Sequence, residues 1–413
     1  MTNNLPARPL GSLIVSFDRL REPVKESDRR PGPFPYYGAS GVVDRVNRYI
    51  FDGTYLLVAE DGENLRTRQT PIAFIATGKF WVNNHAHVVQ ANTEADTRYL
   101  MYALSVADVA AYLTGSTMPK LTAGNLARIP IPFRPPHEQR AIASILGALD
   151  DKIELNRKMS TTLEAVARAL FKSWFVDFDP VRAKAEGRDT GLPAEIANLF
   201  PDSFEDSPVG EVPAGWNCGS LGDVVLRRVE RCDVSADTKN RPYVPIECIS
   251  AKSLSLEFSQ PGEAAQSSLT RFYEGDILFG AMRPYFHKVC IAPFDGTTRT
   301  TVFVLRPRRP SDFSFATLLL HDSETIDYAT THSNGTTIPY AVWTESMAEM
   351  PLAVPCVELR DAFDAIVRPI LQRISTQYFH NGTLSELRDA LLPKLISGEL
   401  RASDVERIVE KSA

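Results

Sequence analysis

The sequence predicts an α+β fold: two pseudo-symmetric lobes of mixed α and β structure, joined by two long antiparallel helices that form a coiled coil. Three observations predict it. First, the 413-residue chain states its landmarks twice. Leu10-Gly11-Ser12-Leu13-Ile14 returns as Leu221-Gly222-Asp223-Val224-Val225, and Phe51-Asp52-Gly53-Thr54-Tyr55-Leu56 returns as Tyr273-Glu274-Gly275-Asp276-Ile277-Leu278. Gly115-Ser116-Thr117-Met118-Pro119 returns as Gly335-Thr336-Thr337-Ile338-Pro339. An offset of about 210 to 220 residues describes two duplicated domains, not a solenoid of short repeats. Second, each copy opens with about 130 residues of short β-type runs, turns, Gly and Pro. Third, each copy closes with an apolar heptad rhythm.

Residues 1–135 make the first lobe. Residues 56–59 and 71–75 read as buried strands, and 80–89 as a strand with an interrupting turn. A helix is expected over 97–113. Residues 136–178 form a long central helix, opening at Pro135-Pro136, where the first amides lack intrahelical partners anyway. Ile142, Leu149, Leu163 and Leu170 fall on one heptad position, and Leu146, Ile153, Ala167 and Trp174 four residues later. About 38 residues at 1.5 Å each give a rod of about 57 Å, too long for one small lobe to cover. Asn156 and Ser160 interrupt the seam. A polar seam residue fixes register at some cost in stability; alternatively Asn156 touches water at a frayed seam.

Residues 179–215, rich in Pro, Gly and acidic residues, read as a connecting loop with at most a short helix over 194–199. The second lobe is 216–355, with strands over 276–280 and 300–305 and a helix over 315–328. The C-terminal helix is 356–398, with Phe363, Val367, Ile370, Ile374, Leu384 and Leu391 on its seam. Pro369 and Gly382 are expected to kink or interrupt it. A tail, 399–413, remains.

Hydrophobic residues at 44% and charged residues at 23% are ordinary for a soluble globular protein. No apolar run reaches the roughly 20 residues of a membrane helix, and residues 1–6 do not read as a signal peptide. Five cysteines without a CxxC pair read as free thiols in a reducing cytoplasm. The net charge of −6 excludes an indiscriminate nucleic-acid binder, although the first lobe is net positive and the second net negative.

Catalytic motifs are missing. There is no GxGxxG after a strand and no GxxxxGK[ST], and Gly78-Lys79 is followed by Phe80 instead of a hydroxyl. No Asn-Pro-Pro-aromatic tetrapeptide for amino methylation of a base appears. Asp150-Asp151-Lys152 lies mid-helix without an upstream Pro-Asp and reads as a solvated face. His85 and His87 flank Ala86 on one strand face, but no third metal ligand is evident, so no metal site is expected.

Two related lobes suit a target with two related halves, and duplex DNA is the commonest. Arg283-Pro284-Tyr285-Phe286-His287-Lys288 mixes basic and aromatic groups in the way phosphate and base-edge contacts require, though an ordinary surface turn has the same composition. Tyr36-Tyr37-Gly38-Ala39-Ser40-Gly41 is likewise either a binding loop or a structural turn. The DNA-binding candidates are Tyr36, Tyr37, Ser40, Asn83 and His85 in the first lobe and Arg283, Tyr285, His287 and Lys288 in the second. Thr117 and Thr337 are expected to hold each lobe against its helix.

Pro35-Tyr36-Tyr37-Gly38-Ala39-Ser40-Gly41, followed by Phe51-Asp52-Gly53 and Glu60-Asp61-Gly62, resembles the target-recognition domain of type I restriction–modification specificity (S) subunits. So do Pro119-Lys120-Leu121 through Ile129-Pro130-Ile131-Pro132 to Glu138-Gln139-Arg140, the Ser173-Trp174-Phe175-Val176-Asp177 stretch, and the terminal Leu387 to Leu400. The resemblance spans nearly the whole chain. It implies that each lobe is a target-recognition domain reading one half of an asymmetric bipartite site in double-stranded DNA. It implies that the helices pair as a ruler for the unread spacer. It also implies a scaffold for two methyltransferase (M) subunits and for motor-nuclease restriction (R) subunits. S-adenosylmethionine, ATP and Mg would sit on those partners, and this chain would be non-catalytic. The alternative is a protein-interaction scaffold that does not bind DNA.

Overall fold

The computed structural model describes residues 5–266, 268–405 and 407. Residues 1–4 of the expected signal-free N-terminus, and 406 and 408–413 of the expected tail, lie outside the described residues. Two compact units divide the chain. One comprises the residues through Ile153 together with those from Leu384 on, and the other is Glu154–Thr383. Each long helix therefore contributes to both.

The first unit is built on a six-stranded sheet. Its strand order is Ile14–Ser16, Ala86–Ala91, Phe51–Ala59, Ala73–Val82, Pro31–Gly38 and Gly41–Val46. Every pairing is antiparallel except that of Pro31–Gly38 with Ala73–Val82, where Tyr36 lies beside Trp81. Side chains alternate across the pleat, so Phe51–Ala59 feeds two cores. Leu56 and Val58 pack with Tyr99, Leu100 and Ala103 of the helix Thr97–Val106. Leu57 packs on the other face with Phe51, Phe80 and Val88. The expected helix over 97–113 ends at Val106 and resumes only as a short 3₁₀ turn, Ala110–Tyr112.

The second unit holds a four-stranded antiparallel sheet, ordered Val225–Arg228, Val302–Pro307, Ile277–Gly280 and Val289–Ile291. A three-stranded sheet adds Arg231–Cys232, Leu269–Phe272 and Gly296–Arg299. The helix expected over 315–328 is two helices, Phe313–His321 and Ser323–Thr331. Asp322 divides them because its carboxylate accepts the Glu324 amide at 2.9 Å, an N-cap that starts a new helix.

Both lobes are closed by the same device. Ala7–Pro9 pairs antiparallel with Pro130–Pro132, and Asn217–Ser220 pairs with Pro351–Val354. Leu10 N donates to Ile129 O and Leu221 N to Met350 O, each at 2.9 Å. The glycine that follows each leucine is required by close approach: a Cβ on Gly11 would sit 2.8 Å from Ala127 Cβ, and one on Gly222 2.9 Å from Ala348 O.

The long helices are Pro136–Phe175 and Val357–Ser397. The second continues through Pro369 and Gly382, so neither residue interrupts it. In the first unit Ile142, Ala143 and Leu146 share a core with Leu395 and Ile396. In the second, Ala167, Phe171 and Trp174 share one with Phe363, Val367, Leu371 and Ile374. Of the seam residues, Ile142, Leu146, Ile153, Phe363, Val367 and Ile374 are buried, while Leu149, Leu163, Leu170, Ile370, Leu384 and Leu391 are half-buried. Toward the end of the first helix, Glu164 and Phe171 take the buried places expected for Leu163 and Leu170. The cause is the mismatch between 3.6 and 3.5: a heptad position falls back by about 20° per repeat in a straight helix. Three heptads from Ile142, Leu163 lags the seam by about 60°, and Glu164 leads it by about 40°. Asn156 is buried and donates to Asn381 Oδ1 at 2.9 Å, so it is not solvated at a frayed end.

Residues 179–215 are more ordered than a connecting loop. They carry helices Asp179–Ala185 and Ala194–Ala197 and a hairpin of Phe204–Ser207 with Gly210–Pro213. Val181 and Phe200 are buried in the core that holds Trp174, whose ring meets Phe200 edge-on at 5.2 Å. Turn-forming residues hid these few anchors. At the other end of the chain, Val405 in the expected tail is buried in the first unit's core. No helix of the described residues is long and apolar enough to cross a membrane.

Candidate nucleic-acid interface

In the first lobe, the turn between Pro31–Gly38 and Gly41–Val46 presents Ser40 to solvent. Tyr36 lies elsewhere, in the core. It is 1% exposed, its hydroxyl accepts the Val24 amide at 3.0 Å, and the Arg29 guanidinium stacks 4.6 Å from its ring centre. It has no free edge for a base, which corrects the expectation. Tyr37 is half-buried against Phe80 and Phe74, and burial raises its pKa. Asn83 shapes the next turn: its amide donates to Tyr37 O at 3.0 Å, and its Oδ1 accepts the His85 amide at 2.8 Å. His85 stands in that turn, half exposed, with Nδ1 2.8 Å from Asp61.

His87 departs from its neighbour. It is buried, with Nδ1 2.6 Å from Asp18 Oδ2 and Nε2 2.8 Å from Leu121 O. Both ring nitrogens thus face acceptors, an arrangement only the doubly protonated ring satisfies. Burial lowers its pKa, but the Asp18 hydrogen bond, the Leu121 carbonyl and the Asp18 and Glu60 charges outweigh burial and raise it overall. Glu60 also binds Arg21 at 2.7 Å and Lys120 at 3.1 Å. His85 and His87 therefore serve different surroundings.

In the second lobe, Arg283 and His287 both adopt left-handed backbone, at φ 52° and 53°, on either side of the short helix Pro284–Phe286. Tyr285 and Phe286 are thereby turned outward, each roughly half exposed, with ring centres 4.8 Å apart. His287 faces inward. Its Nε2 donates to His321 O at 2.9 Å, at the C-terminus of Phe313–His321, and burial lowers its pKa. Lys288 Nζ donates to Ile246 O at 2.9 Å. The first lobe contains the same construction. Arg68, at φ 52°, ends the helix Asn64–Thr67 and donates to Ser105 O and Ala107 O, near the end of Thr97–Val106. His287 and Arg68 are equivalent fasteners, a role the residue types did not betray.

Thr117 and Thr337 do not hold lobe against helix. Both are exposed at loop tips. Asp150 is likewise structural: its carboxylate accepts from Tyr102 Oη at 2.5 Å and from Arg388 at 2.8 Å. Sequence reading missed a cleft of about 410 Å³ in the first lobe, lined by Arg29, Arg30, Asn47, Arg48 and Trp81. Arg29 is paired with Asp44 at 3.2 Å, whereas among the described residues no carboxylate pairs with Arg30 or Arg48. Arg30 and Arg48, in a cleft that Asp28 also lines, are the guanidinium groups there left to meet phosphate oxygens. The separated arginines 29, 30 and 48 gave no run of basic residues to notice.

Residues 8–165 match the family of type I restriction modification DNA specificity domains. The chain is 27% identical over 367 residues to the type I restriction enzyme MjaIX specificity subunit of Methanocaldococcus jannaschii, covering 85% of this chain and 80% of that one. It is 24% identical over 404 residues to the HindI specificity subunit of Haemophilus influenzae, covering 84% of each. The chain thus carries a type I restriction modification DNA specificity domain over residues 8–165. Its fold agrees with the crystal structure of such an S subunit from M. genitalium, with a TM-score of 0.57 at 16% identity over 96% of this chain and 97% of that one.

Proposed function

We propose that this chain is the DNA-reading subunit of a type I restriction–modification complex, with each lobe engaging one half of an asymmetric bipartite site. One observation carries the reading: the two lobes share their backbone closures yet carry different side chains at the loops. Gly62 N donates to Pro119 O, and Arg283 N donates to Pro339 O at the matching place. Around these points the first lobe presents Asp61 and His85, the second Tyr285 and Phe286. Like frames with unlike contact surfaces suit two different half-sites.

Ser40, His85 and Tyr285 are the side chains free to reach base edges. Tyr37, Asn83, Arg283, His287 and Lys288 shape the loops that carry them, and Arg30 and Arg48 supply phosphate contacts. The long helices pair as an antiparallel coiled coil that holds the readers a set distance apart, with Asn156 and Asn381 fixing register. The rods and lobes scaffold two methyltransferase subunits and the restriction subunits. Those partners bring S-adenosylmethionine, ATP and Mg, and this chain performs no chemistry itself. The complex works in the cytoplasm.

The test is to express the chain with its methyltransferase partner in a host lacking other modification and to sequence the methylome. A single bipartite methylated-adenine motif is expected, one half of which changes when one lobe is replaced. An unmodified genome despite an assembled, active methyltransferase would refute the reading.

A further inference from the structure

We propose that the two Gly-x-Thr-x-Pro loops, one per lobe, are a matched pair of sequence-independent grips on the DNA sugar–phosphate backbone; this rests on the DNA-reading role above. The loops are alike in construction as well as sequence. In the first lobe Thr114 and Lys120 exchange two backbone hydrogen bonds of 2.8 Å, and in the second Asn334 and Tyr340 do so at 2.8 and 2.9 Å. Leu121 N donates to Glu60 O at 2.7 Å, and Ala341 N to Ala281 O at 2.8 Å. Gly115 and Gly335 take left-handed backbone, φ 85° and 90°, and a Cβ on either would meet the carbonyl oxygen of Met118 (2.3 Å) or Ile338 (2.9 Å). Each loop is thus a rigid, closed tip that only glycine permits.

What the tips present outward is also the same. Residues 116–118 and 336–338 are all exposed, with Met118 at 62% and Ile338 at 50%. Among the described residues, their amides and their Ser and Thr hydroxyls have no hydrogen-bond partner. An apolar side chain held this far into solvent, beside unused donors, has no role in the lobe's own packing. A tip kept alike on lobes whose other loops differ must meet something that both half-sites share. The phosphodiester backbone is such a thing: it carries no sequence, and hydroxyl and backbone N–H groups are its ordinary donors. Met118 and Ile338 would rest against the neighbouring deoxyribose. At the base of the first tip the Arg66 guanidinium donates to Gly115 O at 3.2 Å, and at the base of the second the Arg283 backbone amide donates to Pro339 O at 2.7 Å.

The test uses the full chain assembled with its methyltransferase subunit, binding duplexes that contain either the methylated motif or a scrambled one. Thr117→Ala and Thr337→Ala should each weaken both duplexes by a similar factor, about fivefold for one hydrogen bond, and the pair by about 25-fold. The methylated motif should stay unchanged, and Thr→Ser should restore binding. An altered motif would make the tips base readers and overturn the proposal. So would wild-type affinity in both variants. Loss of the methyltransferase subunit on size exclusion, with affinity of the remaining complex for DNA unchanged, would reassign the tips to protein docking. If the wild-type complex does not prefer the motif over the scramble, the DNA-reading role itself fails, which is a separate result.

Discussion

Asn156 and Asn381 meet through a 2.9 Å hydrogen bond between the two long helices, and Asn156 is buried. Replacing one partner strands the other. Asn381→Leu is expected to lower unfolding free energy by about 1–3 kcal/mol, since the buried Asn156 amide then loses its partner without regaining water. The double variant Asn156→Leu/Asn381→Leu should recover most of that loss. Chemical denaturation in a double-mutant cycle reads the coupling. Additive losses would show that the pair contributes nothing as a pair.

The repeated Leu-Gly steps make a second prediction. Gly11→Ala and Gly222→Ala should each destabilise their own lobe by about 1–3 kcal/mol, because the added methyl overlaps Ala127 or Ala348. Gly62→Ala, with nothing within 4 Å of a built Cβ but φ at 112°, should act only through backbone strain. Thermal unfolding of the three variants compares the two causes.

The His87 network makes stability depend on pH in both directions. The His87 pKa is raised in the fold, so its contribution is complete below the unfolded value near 6.5 and is lost as pH rises through the folded pKa. For Asp18 and Glu60, burial raises the pKa, but their partners (His87 and the Val88 amide for Asp18, Arg21 and Lys120 for Glu60) outweigh it and lower it. Their contribution is present above the unfolded carboxylate values and is lost as pH falls through the folded ones. The first lobe should therefore be most stable from mildly acidic to neutral pH. His87→Gln should cost about 2–4 kcal/mol and abolish the alkaline limb of the profile. An unchanged alkaline limb in the variant would show that another group is responsible.

Arg30 and Arg48 should act on DNA through charge alone. Each Arg→Ala change should weaken binding to all duplexes alike and reduce the slope of log affinity against log salt by about 1. His85→Ala and Tyr285→Ala should instead relax one half of the methylated motif each. A change at Arg30 or Arg48 that altered the motif would place a base contact in the cleft.

Duplication and heptads were legible because they are one-dimensional. Ile142 to Ile153 and Phe363 to Ile374 could be placed by counting, and the Leu-Gly step by comparing the copies. Counting failed where helix geometry accumulates error, at Leu163 against Glu164. It failed again where long-range packing decides a role. Tyr36 and Ser40 sit in one turn-like stretch, yet one is core and the other solvent, because Val24 and Arg29 cover the first. His287 looked like a reader because it stands between aromatics and Lys288, but left-handed backbone turns it onto the His321 carbonyl. Residues 179–215 looked featureless because a few apolar anchors, Val181 and Phe200 among them, are diluted by turn formers.

The closing strand pairs have an evolutionary corollary. Ala7–Pro9 lies beside Pro130–Pro132, and Asn217–Ser220 beside Pro351–Val354. The chain thus enters and leaves each globule at adjacent points, as a cassette does. A crossover between genes that share these short flanks would import a foreign globule whole, with no splice inside a hydrophobic interior. New combinations of half-sites could then arise in single recombination events, without waiting for point mutations to remodel a loop.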